Sequence, residues 1–174
     1  FIRNRVQAIL PIVQEWAAKN KLAVPFVLAV IRQESSFNPR ARSWVPAYGL
    51  MQIVPKYAGI EVMKTVTGQE SEPSAETLYD TKSNIMFGTT YLHILRDQYF
   101  PEVLDPTKKM YLMIASYNWG PKRVQNLIKK GRIKISDDHL ALLSQLSGCL
   151  PSETQGYLSA VTRFTEQFKK DGFN

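Results

Sequence analysis

Val24-Pro-Phe-Val-Leu-Ala-Val-Ile-Arg-Gln-Glu34 is the stretch on which the reading of this chain turns. It is apolar nearly all round, as a helix in the middle of a domain is. Pro25 suits a first helical turn, where a missing N–H costs nothing. Asn38-Pro39 ends the run, because the residue before a proline resists the helical region. The pattern predicts a helix from Pro25 to about Ser35, then a loop over 36–48. Val27, Val30 and Ile31 lie on one buried stripe, and the next position on it is Glu34, where a core helix would place another aliphatic. A carboxylate there is partly desolvated and sits among the unpaired carbonyls of a helix C-terminus. Both effects favour the protonated acid, which is what a general acid needs near neutral pH. Taken by itself, the helix favours a duller reading in which Glu34 simply turns out into solvent.

Outward from this segment the periodicity stays helical. Arg3 to Asn20 reads as an amphipathic helix whose start or axis Pro11 should disturb. Ile60–Val66, Ser74–Tyr79, Ser83–Tyr99, Pro106–Tyr117, Lys122–Lys130 and Asp138–Leu146 follow as further helices. Ser152-Glu153-Thr154-Gln155 fits a capping box, and Tyr157, Val161, Phe164 and Phe168 then give an apolar stripe to about Lys170. Only Arg132–Ile135 looks strand-like, too short to found a sheet. The class is therefore mainly α. With 174 residues and 44% hydrophobic composition, the chain reads as one domain over 1–174, able to build a core without metal or disulfide.

Composition narrows the function classes. Cys149 is the single cysteine and His93 and His139 are the only histidines, so neither a disulfide nor a structural zinc site is expected. Cys149 itself reads as a small buried hydrophobe. The net charge of +7 favours a polyanionic partner. Lysines and arginines are scattered, with only modest clusters at Lys122-Arg123, Lys129 to Lys134 and Lys169-Lys170, instead of concentrated on one reading helix, which argues against nucleic acid. No stretch reaches the roughly 20 apolar residues of a membrane span. Since the chain begins at Phe1, it reads as a mature or trimmed piece, and any export signal, lipid anchor or further domain would lie upstream of it.

Three blocks carry a more specific message. Glu34-Ser-Ser-Phe-Asn-Pro-Arg-Ala-Arg-Ser43 with Ala47-Tyr-Gly-Leu-Met-Gln52, then Ser116-Tyr-Asn-Trp-Gly-Pro121, then Pro151-Ser-Glu-Thr-Gln-Gly-Tyr157 occur in this order. Together they resemble the sequence blocks of the soluble lytic transglycosylase (SLT) family, which has a goose-type lysozyme-like fold. Val45–Pro55 and the insertion through Gly68 look closest to the family's membrane-bound murein transglycosylase C type. Three residues depart from the pattern: Ser116 stands where alanine is usual, Tyr48 where a small residue is common, and Lys122 where glycine is frequent.

The resemblance implies a fold, a site and a reaction. Glu34 would be the catalytic acid and base, with Ser43 near the sugar whose acetamido group takes part. Gly49, Leu50, Met51 and Gln52 would form the groove floor beside the cleavage point. Tyr117 would hydrogen-bond around Glu34 and the reacting sugar, Asn118 would support its loop or touch saccharide, and Glu153 and Tyr157 would line the groove. Packing alone accounts equally well for the Tyr117 ring, and the helix dipole for Glu153 in a first turn. Trp44 and Trp119 are candidates for sugar stacking. Most glycosidases need two carboxylates about 5 to 10 Å apart, yet Glu34 is followed by no Asp or Glu before Glu61. The resemblance implies the other solution, in which a single glutamate cleaves the MurNAc–GlcNAc bond without water and leaves a 1,6-anhydro end.

The expected partner is thus a peptidoglycan strand, with no nucleic acid, no metal and no organic cofactor. The expected setting is the periplasm of a Gram-negative bacterium, possible anchorage at the outer membrane included, with the chain acting as a monomer. A lysozyme-like hydrolase of the same fold and a non-catalytic wall-binding module are the competing readings.

Overall fold

The apolar run that ends at Glu34 folds as its pattern predicts. The computed structural model describes residues 2–173. In it Val24–Ser35 is a helix with Pro25 in the first turn and every residue from Pro25 to Ile31 buried. This is α2. Before it runs α1 (Ile2–Lys19), which buries Val6, Ile9, Val13 and Ala17 at helical spacing and carries Pro11 in its interior without ending there. The two helices pack together.

The remaining helices are α3 (Ile60–Thr67), α4 (Ala75–Tyr79), α5 (Thr81–Ile94), α6 (Pro106–Trp119), α7 (Pro121–Lys129), α8 (His139–Cys149) and α9 (Ser152–Lys170). Side-chain caps start several of them. Asp105 Oδ1 accepts from Thr107 N and Lys108 N ahead of α6, and Asp138 Oδ1 accepts from Ala141 N ahead of α8. Ahead of α5, Asp80 Oδ2 accepts from Ser83 N at 3.0 Å. That bond moves the helix start two residues upstream of the Ser83 expected from periodicity.

Three local features differ from expectation. The helix read as Ser83–Tyr99 is α-helical only to Ile94, and Leu95–Tyr99 forms a π-helical turn; a second such turn is Pro55–Gly59. Arg132–Ile135 is not a strand, and among the described residues β pairing is limited to the isolated bridges Arg42–Tyr48 and Tyr48–Ile53. Ile133 satisfies its apolar character as a buried plug in a turn. The capping box at Ser152 does not form. Ser152 is already inside α9, Pro151 O accepts from Gln155 N at 2.9 Å, and Gln155 Nε2 donates to Leu150 O at 2.6 Å. With Pro151 at the cap position there is no N–H for a glutamine to receive.

The chain forms two compact units, Phe1–His93 with Arg163–Asn174, and Ile94–Thr162. The core of the first is built on Val13, Leu28, Ile31, Met51, Leu78, Ile85 and Leu92. In the second, Leu95, Phe100, Leu112, Ile114, Val124, Leu142 and Leu146 are buried. Cys149, in the second unit, is a half-buried free thiol.

Candidate active site

Glu34 stands in the last turn of α2, half-buried. Directly after it the chain reverses. Ser36 and Phe37 both take left-handed backbone conformations, at φ 50° and 64°, a costly choice for residues with a Cβ. Several contacts hold the reversal. Ser36 N donates to Arg32 O at 3.0 Å, Arg5 Nη1 donates to Ser36 O at 2.9 Å, and Phe37 is buried with its ring edge-on to Phe168 at 6.2 Å. Asn38 then closes a turn by accepting from Arg40 N on its side chain and Ala41 N on its backbone.

The residue after Glu34 ties the helix end to the Gly-Leu-Met-Gln block. Ser35 Oγ donates to Leu50 O at 2.7 Å and lies 3.2 Å from Ile31 O. The block is a tight turn, with Tyr48 and Ile53 exchanging backbone hydrogen bonds at 3.0 Å in both directions and Gly49 N donating to Ala41 O at 2.8 Å. Its centre is clamped by Asn84 of α5, which has 0% exposure. Asn84 Oδ1 accepts from Met51 N at 2.8 Å, and Nδ2 donates to Tyr48 O at 2.8 Å and Leu78 O at 2.7 Å. Gly49 has φ 78°, and a Cβ there would collide with the Asn84 amide and Leu78 O. Glycine is therefore required both by conformation and by the clamp.

The block's residues divide by exposure. Leu50 and Met51 are 1% and 0% exposed, and Met51 packs down onto Gly88 of α5, where any Cβ would meet its sulfur. They shape the turn from beneath. Gln52, half-buried at φ 51°, donates both side-chain hydrogens inward, to Ala41 O at 3.1 Å and Gly49 O at 3.0 Å. Only its Oε1 acceptor remains for another group. Ser43 closes the neighbouring turn, its N donating to Ala47 O and its Oγ accepting from Ala47 N, each at 3.0 Å. Trp44 projects from that turn with 94% exposure.

The other four sequence-predicted residues belong to the second unit. Tyr117 and Asn118 lie half-buried near the end of α6, Glu153 is exposed in the first turn of α9, and Tyr157 is buried one turn on. Asn118 Oδ1 accepts from Thr154 Oγ1 at 2.9 Å, so the Ser-Tyr-Asn and Glu-Thr blocks meet through Thr154, itself buried. Ser116 is also buried, and its hydroxyl has no hydrogen-bond partner. Sequence reasoning missed Ser35, Asn84 and Thr154 as the residues holding these blocks. Ser35 and Thr154 were inside the quoted blocks, whereas Asn84 gave only the weak signal of a polar residue in an apolar helix. Among the described residues no group of three or more His, Cys, Asp or Glu is placed to hold a metal ion.

A helical frame of this kind, with one partly buried glutamate closing a core helix above a clamped Gly-Leu-Met-Gln turn, is a lysozyme-like α fold. The sequence model of the transglycosylase SLT domain matches residues 11–139, and the chain belongs to that family. Curated relatives include the membrane-bound lytic murein transglycosylase C of Glaesserella parasuis serovar 5 (strain SH0165), 32% identical over 97% of this chain and 48% of the relative. The protein of the same name from Haemophilus influenzae (strain PittEE) is 40% identical over 68% of this chain and 33% of the relative. The chain thus spans less than half the length of these relatives.

Solved structures give the same picture. The 70 kDa soluble lytic transglycosylase SLT70 of Escherichia coli superposes with a TM-score of 0.74 at 26% identity, over 92% of this chain and 24% of that one. An inactive glutamate-to-glutamine mutant of the lytic transglycosylase Slt from Pseudomonas aeruginosa gives 0.72 at 26%, over 91% and 23%.

Proposed function

We propose that the chain is a lytic murein transglycosylase in which Glu34 is the one acid and base. The observation that carries this reading is the placement of Glu34. It is a half-buried carboxylate in the last turn of a core helix, and the next residue, Ser35, bonds the helix end to the Gly49–Gln52 turn. The inactivity of a glutamate-to-glutamine mutant of a neighbour with the same fold supports it.

In the proposed reaction Glu34 protonates the glycosidic oxygen between N-acetylmuramic acid and N-acetylglucosamine. The acetamido oxygen of the substrate stabilises the positive charge developing at the anomeric carbon. Ionised Glu34 then takes the proton of the muramoyl 6-hydroxyl, whose oxygen closes on that carbon to give a 1,6-anhydro ring. Ser43 and the Gly49–Gln52 turn serve the saccharide in the first unit: Gln52 offers Oε1 as an acceptor, while Leu50 and Met51 act through the shape they give the turn. In the second, Tyr117, Asn118, Glu153 and Tyr157 serve it.

The family match spans residues 11–139 and so reaches into both compact units, which supports residues 1–174 acting as one catalytic domain; in this reading it acts as a monomer. The setting in this reading is the periplasm with attachment at the outer membrane; the relatives' names, which call them membrane-bound, support attachment to a membrane. Among the described residues no helix is long and apolar enough to cross a membrane.

Digestion of purified peptidoglycan with the unmodified chain and with Glu34→Gln, followed by mass analysis of soluble muropeptides, tests the reading. Anhydro ends, one water lighter than reducing ends, are expected from the first. Glu34→Gln is expected to lower their rate by about 10²–10⁴, the usual worth of a positioned acid-base. Reducing ends instead would make the chain a hydrolase of the same fold, and products independent of Glu34 would refute its role.

A further inference from the structure

Between Asp105 and Asp137 the chain contains no Asp or Glu, yet it carries Lys108, Lys109, Lys122, Arg123, Lys129, Lys130, Arg132 and Lys134. Lys108 is occupied internally, donating to Ile135 O at 2.6 Å and Asp137 O at 3.0 Å. The six cations from Lys122 to Lys134 are all exposed. On α7 and its C-cap, Lys122, Arg123, Lys129 and Lys130 lie three or four residues from Asn126 on the outward face, opposite buried Val124. Beyond α7, Arg132 N donates to Leu127 O at 2.9 Å and Lys134 N to Gln145 Oε1 at 2.7 Å. Buried Ile133 anchors the turn between them, so the two side chains extend the same cationic stretch from a fixed backbone.

Helix stability does not account for this face. Lys129 and Lys130, at the C-terminal end of α7, suit the helix dipole, but Lys122 and Arg123 lie in its first turn, where cations are disfavoured. A carboxylate-free face that accepts this cost is built for an anion brought by a partner. Its position selects the partner. Lys122 and Arg123 follow Tyr117 and Asn118 by a few residues, and α6 packs against α7. Among the large apolar side chains exposed on the described residues, none lies between 106 and 136, so the face offers no apolar group to insert into a bilayer.

We propose that this face binds the carboxylate-bearing peptide stems of the glycan strand, so that the chain prefers peptide-bearing over denuded strands. The proposal rests on the transglycosylase reading for the identity of the polymer. Its test is pull-down of the whole chain on bead-immobilised peptidoglycan strands of matched length, either intact with their peptides or stripped of them by an amidase. The variants are K129E/R132E/K134E and a control, R3E/K82E/K170E, reversed elsewhere. Each reversal removes two charge units, so both triple variants fall from +7 to +1.

On intact peptidoglycan at about 0.05 M salt, the face variant is expected to bind at least about tenfold more weakly than the control, as several exposed charge contacts become repulsions. The difference should shrink on stripped glycan and at about 0.5 M salt. Equal losses in the two variants, or a face-variant loss as large on stripped glycan, would overturn the proposal. So would a loss confined to vesicles containing anionic phosphatidylglycerol, which would make the face a membrane contact. Anhydro-product release by the unmodified chain on intact peptidoglycan, measured alongside, tests the transglycosylase reading separately, because the binding comparison stays readable whatever that outcome.

Discussion

Replacing Asn84 should disable the turn beside Glu34 without touching any residue assigned to chemistry. Asn84→Ala removes partners from three groups at once, Met51 N, Tyr48 O and Leu78 O, which Asn84 meets at 2.8, 2.8 and 2.7 Å. Met51 and Leu78 are wholly buried, so water cannot replace what is lost there. At about 1–3 kcal/mol for each orphaned buried group, and with Tyr48 half-exposed, the sum is about 3–6 kcal/mol. That is a large part of a usual stability of about 5–15 kcal/mol. For a chain of this length it corresponds to a drop of roughly 10–20 °C in thermal midpoint.

Asn84→Asp separates hydrogen bonding from volume. A carboxylate can still accept from Met51 N, but it donates nothing and faces two carbonyl oxygens. Protonation restores one donor, so this variant should gain stability on acidification from about pH 7 to pH 4, a range in which a buried carboxyl with its pKa raised above about 3.9 takes up a proton. Thermal melts followed by circular dichroism at both pH values measure the effect. A loss under about 1 kcal/mol for Asn84→Ala, or no acid-induced gain for Asn84→Asp, would show that the turn's own backbone bonds suffice.

Two further outcomes are expected. Ser116→Ala should stabilise the chain by about 1 kcal/mol, since it deletes a buried hydroxyl with no partner and gains helix propensity; a shift of the urea midpoint to lower concentration would count against this. The Asp105 and Asp80 carboxyls are held below the usual range chiefly by backbone N–H donors, from Lys108 and Ser83 respectively. Their stabilisation is therefore present above about pH 3.9, the unfolded value, and is lost as pH falls through the lower folded values. The double variant Asp80→Asn/Asp105→Asn, which keeps the side-chain acceptors, should show a flatter acid limb in melts between about pH 2 and 5, and an unchanged limb would remove these caps as its cause.

The helices were legible because their signals are local: Pro25 in a first turn, and apolar spacing along α1, α2 and α9. The capping box misled because Pro151 fills the position that four-residue motif needs for a donor. The π-helical turn at Leu95–Tyr99 keeps ordinary helical periodicity and so cannot be seen in it. Glu34 stood out as a polar residue on an apolar stripe. Asn84 did not, because its three partners lie at 48, 51 and 78, and only the fold brings a turn and a helix that far apart in sequence into register.

Trp44 gives the molecule an optical handle. Of the three tryptophans, Trp16 and Trp119 are half-buried, whereas Trp44 is almost fully in water on a turn closed by two hydrogen bonds to Ala47. Its emission is expected at the red edge of the spectrum and open to iodide, an anion that a chain of net charge +7 concentrates near its surface. The quenchable fraction of native fluorescence therefore reports on the loop after Glu34, with no label attached.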